Sequence, residues 1–154
     1  MTEEIFAQSR FDPQIFDLIP HRPPMLLINS IQSLSDSESS SIVIVDELAP
    51  FYQKQGIPSW IGLEYMGQTA ALIAGYQLRQ GLVSPHLGLL LGTRKYHSDI
   101  EYFEAPSRLL IACKQAALVG ESLANFDCSI QQYDSKREIA RASLSVFRKP
   151  KKLP

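Results

Sequence analysis

The pattern of hydrophobic and polar positions along the chain predicts two helices and six strands. Asp12 before Pro13 indicates the start of a short helix, because Asp caps a helix and Pro suits its first position. Prolines from Pro20 onwards prevent its continuation, so this helix is expected over residues 13–18. Strands are predicted at 25–31 and 41–46, with a polar turn at 35–40 between them and a loop at 47–57 after them.

A long helix is predicted from Pro58-Ser59 to Gln80, with Gly81 as its C-terminal stop. It is apolar nearly all round, and such a helix must be covered by other protein on most sides. The rest of the chain predicts four long strands, at 86–97, 108–118, 123–133 and 139–148. We therefore expect an α+β fold in which an antiparallel sheet wraps around the long helix.

Composition fits one soluble domain over residues 1–154, with 45% hydrophobic and 20% charged residues. The formal net charge of −1 gives no overall field that would favour nucleic acid or a membrane. Cys113 and Cys128 have neither disulfide nor metal-ligand spacing and are expected in the core. The N-terminus does not resemble a signal peptide, so a cytoplasmic location is expected.

Glu64 is the strongest candidate for chemistry, because it lies near the start of a helix that is otherwise built to be buried. An ionised carboxylate there is unfavourable unless something uses or neutralises it. Gln68 follows one turn later, so the two side chains share a helix face. The alternative is a Glu that reaches solvent or forms a local salt bridge, and spacing alone does not decide between the two.

His21 is the second candidate, in the stretch Pro20-His21-Arg22-Pro23. The flanking prolines fix its backbone, which suits a structural histidine as well as a catalytic one. His86 and His97 have no partner at metal-ligand spacing, so no metal is expected.

Three stretches together resemble the 3-hydroxyacyl-acyl-carrier-protein dehydratases. They are the opening Leu18-Ile19-Pro20-His21-Arg22-Pro23, the segment Pro50-Phe51-Tyr52-Gln53, and the helix motif from Pro58 through Glu64-Tyr65-Met66-Gly67-Gln68. The motif around Glu64 is the specific part. The shortened loop before the helix is similar to the dehydratase-like proteins of bacterial aryl polyene and related fatty-acid-like clusters.

The resemblance implies a hotdog fold, with a dimer that joins two sheets edge to edge. It implies elimination of water from a 3-hydroxyacyl thioester, giving a trans-2-enoyl thioester. The acyl group would arrive on acyl carrier protein, so no separate cofactor is expected. Glu64 would be the general acid/base and Gln68 its hydrogen-bond partner, while backbone N–H groups near Ser59 and Trp60 would bind the thioester carbonyl. Arg94, Lys95 and the basic C-terminus are candidate contacts for the carrier.

The chain departs from the family in the loop before the helix. Family members carry a catalytic His there, whereas this chain has Lys54-Gln55-Gly56-Ile57. His21 could supply the base instead, a related dehydratase subunit could bring the missing His, or the chain could be a non-catalytic partner. A homodimer and a heterodimer both remain open. A thioesterase that uses Glu64 to activate water is the alternative enzyme.

Overall fold

A computed structural model describes residues 10–82, 86–119 and 122–150. The helices are α1 (Pro13–Leu18) and α2 (Gly62–Arg79), and a 3₁₀ turn (Ser59–Ile61) leads into α2. The strands are β1 (Ser30–Leu34), β2 (Glu38–Val45), β3 (Ile57–Pro58), β4 (His86–Ser98), β5 (Tyr102–Phe103), β6 (Ser107–Val119), β7 (Leu123–Gln132) and β8 (Glu138–Pro150).

The strands form an antiparallel six-stranded sheet in the order β1-β2-β6-β7-β8-β4, and β3 pairs with β5 in a separate ladder. Helix α2 packs mainly against β2, β6 and β7, and α1 packs against α2. The predicted α+β arrangement, with a sheet around one long helix, is confirmed.

Close packing of the two helices depends on Gly75. A Cβ at this position would lie 2.0 Å from the carbonyl oxygen of Leu18, the last residue of α1. Only a residue without a side chain fits there. Asp12 caps α1 as predicted, since its carboxylate accepts a hydrogen bond from the Gln14 N–H.

The predicted strand at 25–31 is wrong for most of its length. Strand β1 begins only at Ser30, and the buried residues before it are held by other bonds. The Leu26 N–H donates to the Arg22 carbonyl, and the Leu27 N–H donates to the side chain of Gln68. An apolar run indicates burial, but it does not show whether the backbone bonds to a strand or to a side chain.

The predicted turn at 35–40 is also too long, because β2 already begins at Glu38. Ser39 and Ser41 lie in this strand, and their hydroxyl groups form hydrogen bonds with Thr69 of α2. The short β3–β5 ladder was not predicted, and β3 spans the last residue of the predicted loop at 47–57 and the first residue of the predicted long helix.

Helix α2 is covered by other protein over most of its surface, as predicted, and Leu78 near its C-terminal end is exposed. Trp60, in the 3₁₀ turn before α2, is also exposed. Cys113 and Cys128 are buried in the core as predicted. Within the described ranges, no helix is long and apolar enough to cross a membrane.

Hydroxyl groups join α2 to β2 in the core. The Ser39 hydroxyl donates to the Thr69 carbonyl over 2.6 Å, and the Thr69 hydroxyl donates to the Tyr65 carbonyl over 2.8 Å. The Ser41 and Thr69 hydroxyl oxygens are 2.6 Å apart. Because Thr69 already donates to Tyr65, Ser41 must be the donor in this pair.

We expect Thr69→Val to lower the free energy of unfolding by about 1–3 kcal/mol, because it leaves the buried Ser41 hydroxyl without its acceptor. Adding Ser41→Ala should recover part of that loss, since removing both partners leaves no unsatisfied group. Urea denaturation of the four proteins of this double-mutant cycle measures the effect. If the losses of stability in the two single variants add up to the loss in the double variant, the two hydroxyl groups do not interact.

Candidate active site

The start of α2 presents the candidate acid. Pro58 precedes the 3₁₀ turn, and Gly62 continues it into α2, so Glu64 lies in the first α-helical turn. Gly62 is itself required, because a Cβ there would lie 2.5 Å from the hydroxyl oxygen of Tyr96. The Tyr96 hydroxyl donates to the carbonyl of Ser59, which fixes the 3₁₀ turn against β4.

Gln68 holds Glu64 in position. Its side-chain nitrogen donates to Glu64 Oε1 over 3.0 Å and to the Met25 carbonyl over 2.8 Å, and its oxygen accepts the Leu27 N–H over 2.8 Å. The side chain is fully buried. All the polar atoms of this amide are therefore engaged, and they connect α2 to the segment at 25–27. The predicted pairing of Glu64 with Gln68 is present.

His21 lies next to Glu64 in the same chain. Its Nε2 is 3.9 Å from Glu64 Oε1, across the gap between α2 and the segment after α1. Sequence reasoning named both residues separately, and the structure brings them together.

Arg22 fixes the backbone that carries His21, a role that sequence reasoning did not assign. Its guanidinium donates to the carbonyls of Phe16, Ile19 and His21 over 2.8–2.9 Å. It also lies over the Phe16 ring, 5.0 Å from the centroid. This role could have been predicted from the position of Arg22 just after a short helix. The last carbonyls of a helix have no intrahelical donor, and a guanidinium carries five N–H groups that can bond to them.

The environment of His21 favours its neutral form. Burial lowers the pKa of His21 below its ordinary value, the Glu64 carboxylate partly opposes this, and Arg22 adds to the lowering. The buried Nδ1 atom has no hydrogen-bond partner among the described residues. In its Nδ1–H tautomer the neutral ring can accept a proton at Nε2, the atom that faces Glu64.

Glu64 is less buried than its helix predicted. Its side chain is 42% exposed and that of His21 is 29% exposed, so the pair opens to the surface of the single chain. Met25, whose carbonyl accepts from Gln68, and Trp60, in the 3₁₀ turn before α2, are 54% and 65% exposed. Of the two possibilities that spacing left open, the single chain therefore shows a Glu that reaches solvent, and this Glu also lies near His21.

Of the two backbone donors predicted to bind the thioester carbonyl, Ser59 is already engaged. Its N–H donates to the Glu101 carbonyl over 2.9 Å, which corrects the expectation for this residue. The Trp60 N–H belongs to the first turn, where N–H groups have no intrahelical acceptor, so it is the donor that can serve.

The candidate carrier contacts are only partly described. Lys95 is exposed in β4, and Arg148 and Lys149 continue β8. Lys151 and Lys152 lie outside the described residues, as do the side chains of Arg94, Arg148 and Lys149. Within the described part of the chain, no group of three or more His, Cys, Asp or Glu side chains is arranged to hold a metal.

Comparison with known proteins decides the family. The model of the ApeP-like family, described as ApeP dehydratase, matches residues 13–153. The chain belongs to the ApeP-like dehydratase family. The solved dehydratase heterocomplex ApeI:P from Xenorhabdus doucetiae is similar to this chain, with 26% identity and a TM-score of 0.78 over 90% of this chain and 91% of that one. The comparison with curated proteins gave no match.

More distant structures share the fold alone. A hypothetical thioesterase with coenzyme A from Streptococcus pneumoniae has 12% identity and a TM-score of 0.61, over 80% of this chain and 87% of that one. A protein from Streptococcus mutans bound to acetyl CoA has 13% identity and a TM-score of 0.64, over 85% and 96%. This ApeP-like chain therefore has the hotdog fold. The family match, rather than these structures, confirms the resemblance to the dehydratases.

We expect His21 to titrate below its ordinary pKa of 6.5, and Glu64→Gln to lower this pKa further, because the carboxylate that favours the imidazolium is removed. The ring proton signals of the histidines, followed by NMR over about pH 4–8, measure both effects. His97 is the internal control, since its ring contacts Asp99 rather than Glu64. A His21 pKa at or above 6.5, or one unchanged by Glu64→Gln, would contradict the described geometry.

Proposed function

We propose that this ApeP-like protein eliminates water from a 3-hydroxyacyl thioester carried on acyl carrier protein and forms the trans-2-enoyl thioester during polyene or fatty-acid biosynthesis. The observation that carries the proposal is the His21–Glu64 pair, 3.9 Å apart and supported by Gln68. Elimination requires one group that takes the C2 proton and another that protonates the departing hydroxyl. The pair offers a neutral imidazole and a carboxyl group for these two tasks.

The proposed reaction proceeds as follows. His21 Nε2 takes the proton from C2, the C2–H electron pair forms the C2–C3 double bond, and the C3–O bond breaks. The protonated carboxyl of Glu64 gives its proton to the leaving hydroxyl, which departs as water. Transfer of the proton from the imidazolium to the Glu64 carboxylate then restores both groups. The Trp60 N–H, near the positive end of α2, would stabilise the negative charge on the thioester oxygen.

His21 thus replaces the loop histidine that the dehydratase family carries and this chain lacks. Its lowered pKa keeps the ring unprotonated at neutral pH, and the carboxylate formed when Glu64 loses its proton stabilises the imidazolium. Both groups come from one chain, so the proposed site does not need a histidine from elsewhere. This favours a catalytic chain over the two alternatives in which a partner brings the base or the site is degenerate.

The proposed assembly is a heterodimer with a related hotdog dehydratase. The similar ApeI:P structure is such a heterocomplex. Strand β4, 13 residues long, lies at the open edge of the sheet and offers backbone groups for a further strand. The exposed Met25 and Trp60 beside Glu64 are apolar surface that a partner would cover. Such coverage would also remove the His21–Glu64 pair from bulk water.

We expect Glu64→Gln and His21→Gln each to lower the rate of enoyl formation by about 10²–10⁴-fold, the usual contribution of a positioned acid or base. The assay follows a 3-hydroxyacyl carrier protein with the full chain, alone and with a co-produced dehydratase partner. Glu138→Gln is the matched control, because Glu138 is exposed and lies on β8, away from the proposed partner edge.

Three other results would contradict the proposal. Loss of plain acyl-thioester hydrolysis in Glu64→Gln, with enoyl formation unaffected, would indicate a thioesterase. Full activity of His21→Gln together with a partner that carries its own histidine would place the base in the partner. Unchanged rates in both variants would leave a non-catalytic role.

A further inference from the structure

Tyr96 acts on the peptide group that joins Ser59 to Trp60. The N–H of this group belongs to Trp60 and is the proposed donor to the thioester carbonyl, while its C=O belongs to Ser59. The Ser59 carbonyl accepts the Tyr96 hydroxyl and the N–H of Gly62. Because a trans peptide group is planar, its C=O and N–H point in opposite directions and turn together. Bonds that fix the carbonyl therefore also fix the direction of the Trp60 N–H.

The bond from Tyr96 also makes the Trp60 N–H a stronger donor. A hydrogen bond to the carbonyl oxygen polarises the whole peptide group, and hydrogen bonds in series strengthen one another. Burial raises the pKa of Tyr96 to about 12, so its hydroxyl is protonated and can donate at neutral pH. The hydroxyl bonds to the backbone of Ser59, so its effect on a bound thioester passes through the 3₁₀ turn.

A β-bulge places Tyr96 for this bond. The pairing of β4 with β8 shifts by one residue between Arg94 and His97. Lys95 and Tyr96 therefore stand opposite a single residue, Ala142, which is buried. Lys95 has a φ of 64°, in the left-handed region, and is exposed, whereas Tyr96 packs against the core. The extra residue thus turns the Tyr96 side chain to the core side of the sheet, where the 3₁₀ turn lies.

We propose that Tyr96 is a positioning residue, which directs and polarises the Trp60 N–H towards the thioester carbonyl, and that the bulge at Lys95 sets its place. This inference rests on the proposed function, because the Trp60 N–H is assigned to the thioester oxygen there. Negative charge develops on that oxygen as C2 loses its proton, so a stronger donor favours the transition state more than the bound substrate.

Tyr96→Phe in the full chain tests the kinetic consequence. We expect kcat for enoyl formation to fall about 3–10-fold, the usual value of one hydrogen bond expressed as a rate, with KM nearly unchanged. The pH profile should keep its shape, because Tyr96 does not exchange a proton with the substrate. Tyr133→Phe is the matched control, since Tyr133 is half-buried and its hydroxyl has no hydrogen bond in the part of the chain that the structure describes. A changed pH profile would overturn the assignment as a positioning residue.

A spectroscopic measurement follows the carbonyl itself. The ligand is an acyl-pantetheine ketone, in which a methylene group replaces the sulfur and the carbonyl carbon is ¹³C. It has no 3-hydroxyl group and cannot lose water. Hydrogen bonding to a carbonyl moves its ¹³C NMR signal to higher chemical shift, because the bond is polarised. We expect the bound signal at lower shift in Tyr96→Phe than in the unchanged protein and in Tyr133→Phe, and equal shifts in all three would overturn the proposal.

Two variants of Lys95 test the bulge. Both remove the same charge, but Asn adopts a positive φ readily and the β-branched Val does not. We expect Lys95→Val to lower the shift of the ketone signal as Tyr96→Phe does, although the hydroxyl is still present, and Lys95→Asn to leave it in place. Equal signals in the two variants would show that the bulge does not place Tyr96. Circular dichroism checks that each variant is folded.

These outcomes separate the inference from the proposed function. If the ketone signal depends on Tyr96 but the protein forms no enoyl product, alone or with a partner, the dehydratase proposal fails and the role of Tyr96 stands. If enoyl product forms and Tyr96→Phe changes neither kcat nor the ketone signal, the inference fails and the proposed function stands.

Discussion

The buried amide of Gln68 is the interaction on which the arrangement of this site depends. It bonds at once to Glu64 on its own helix and to the backbone of Met25 and Leu27 on the neighbouring segment. A buried amide that loses its partners is costly, so helix and segment are held in one relative position. Because His21 begins that segment, the separation between His21 and Glu64 follows from the same bonds.

The segment at 21–27 also lines a cavity. It brings His21 close to α2, while Pro23, Pro24 and Leu27 line an apolar space of about 300 Å³. The exposed face of the pair suits closure by a second hotdog chain, and such closure would strengthen the electrostatic interactions within the site.

Much of the fold could be predicted from the sequence, because long periodic segments and helix-start signals are local. Asp12-Pro13, the stop at Gly81 and the four long strands lie where their patterns indicated. The segment at 25–29 could not be predicted, since its backbone bonds to a glutamine about 40 residues away. Likewise, Glu64 and His21 were each predicted as site residues, but their proximity was not. It depends on the packing of α1 against Gly75 and on the hydrogen bonds from Arg22 to the carbonyls of α1. The engagement of the Ser59 N–H by Glu101 is another long-range bond that no local pattern indicates.

A crystal structure of the chain, with the proposed dehydratase partner, bound to a non-reacting 3-hydroxyacyl pantetheine analogue would test the central claim most directly. We expect the 3-hydroxyl oxygen within about 2.6–3.2 Å of the Glu64 carboxyl group, and C2 facing His21 Nε2 of the same chain. A substrate whose C2 faces a histidine of the partner subunit, or one bound away from Glu64, would contradict the claim.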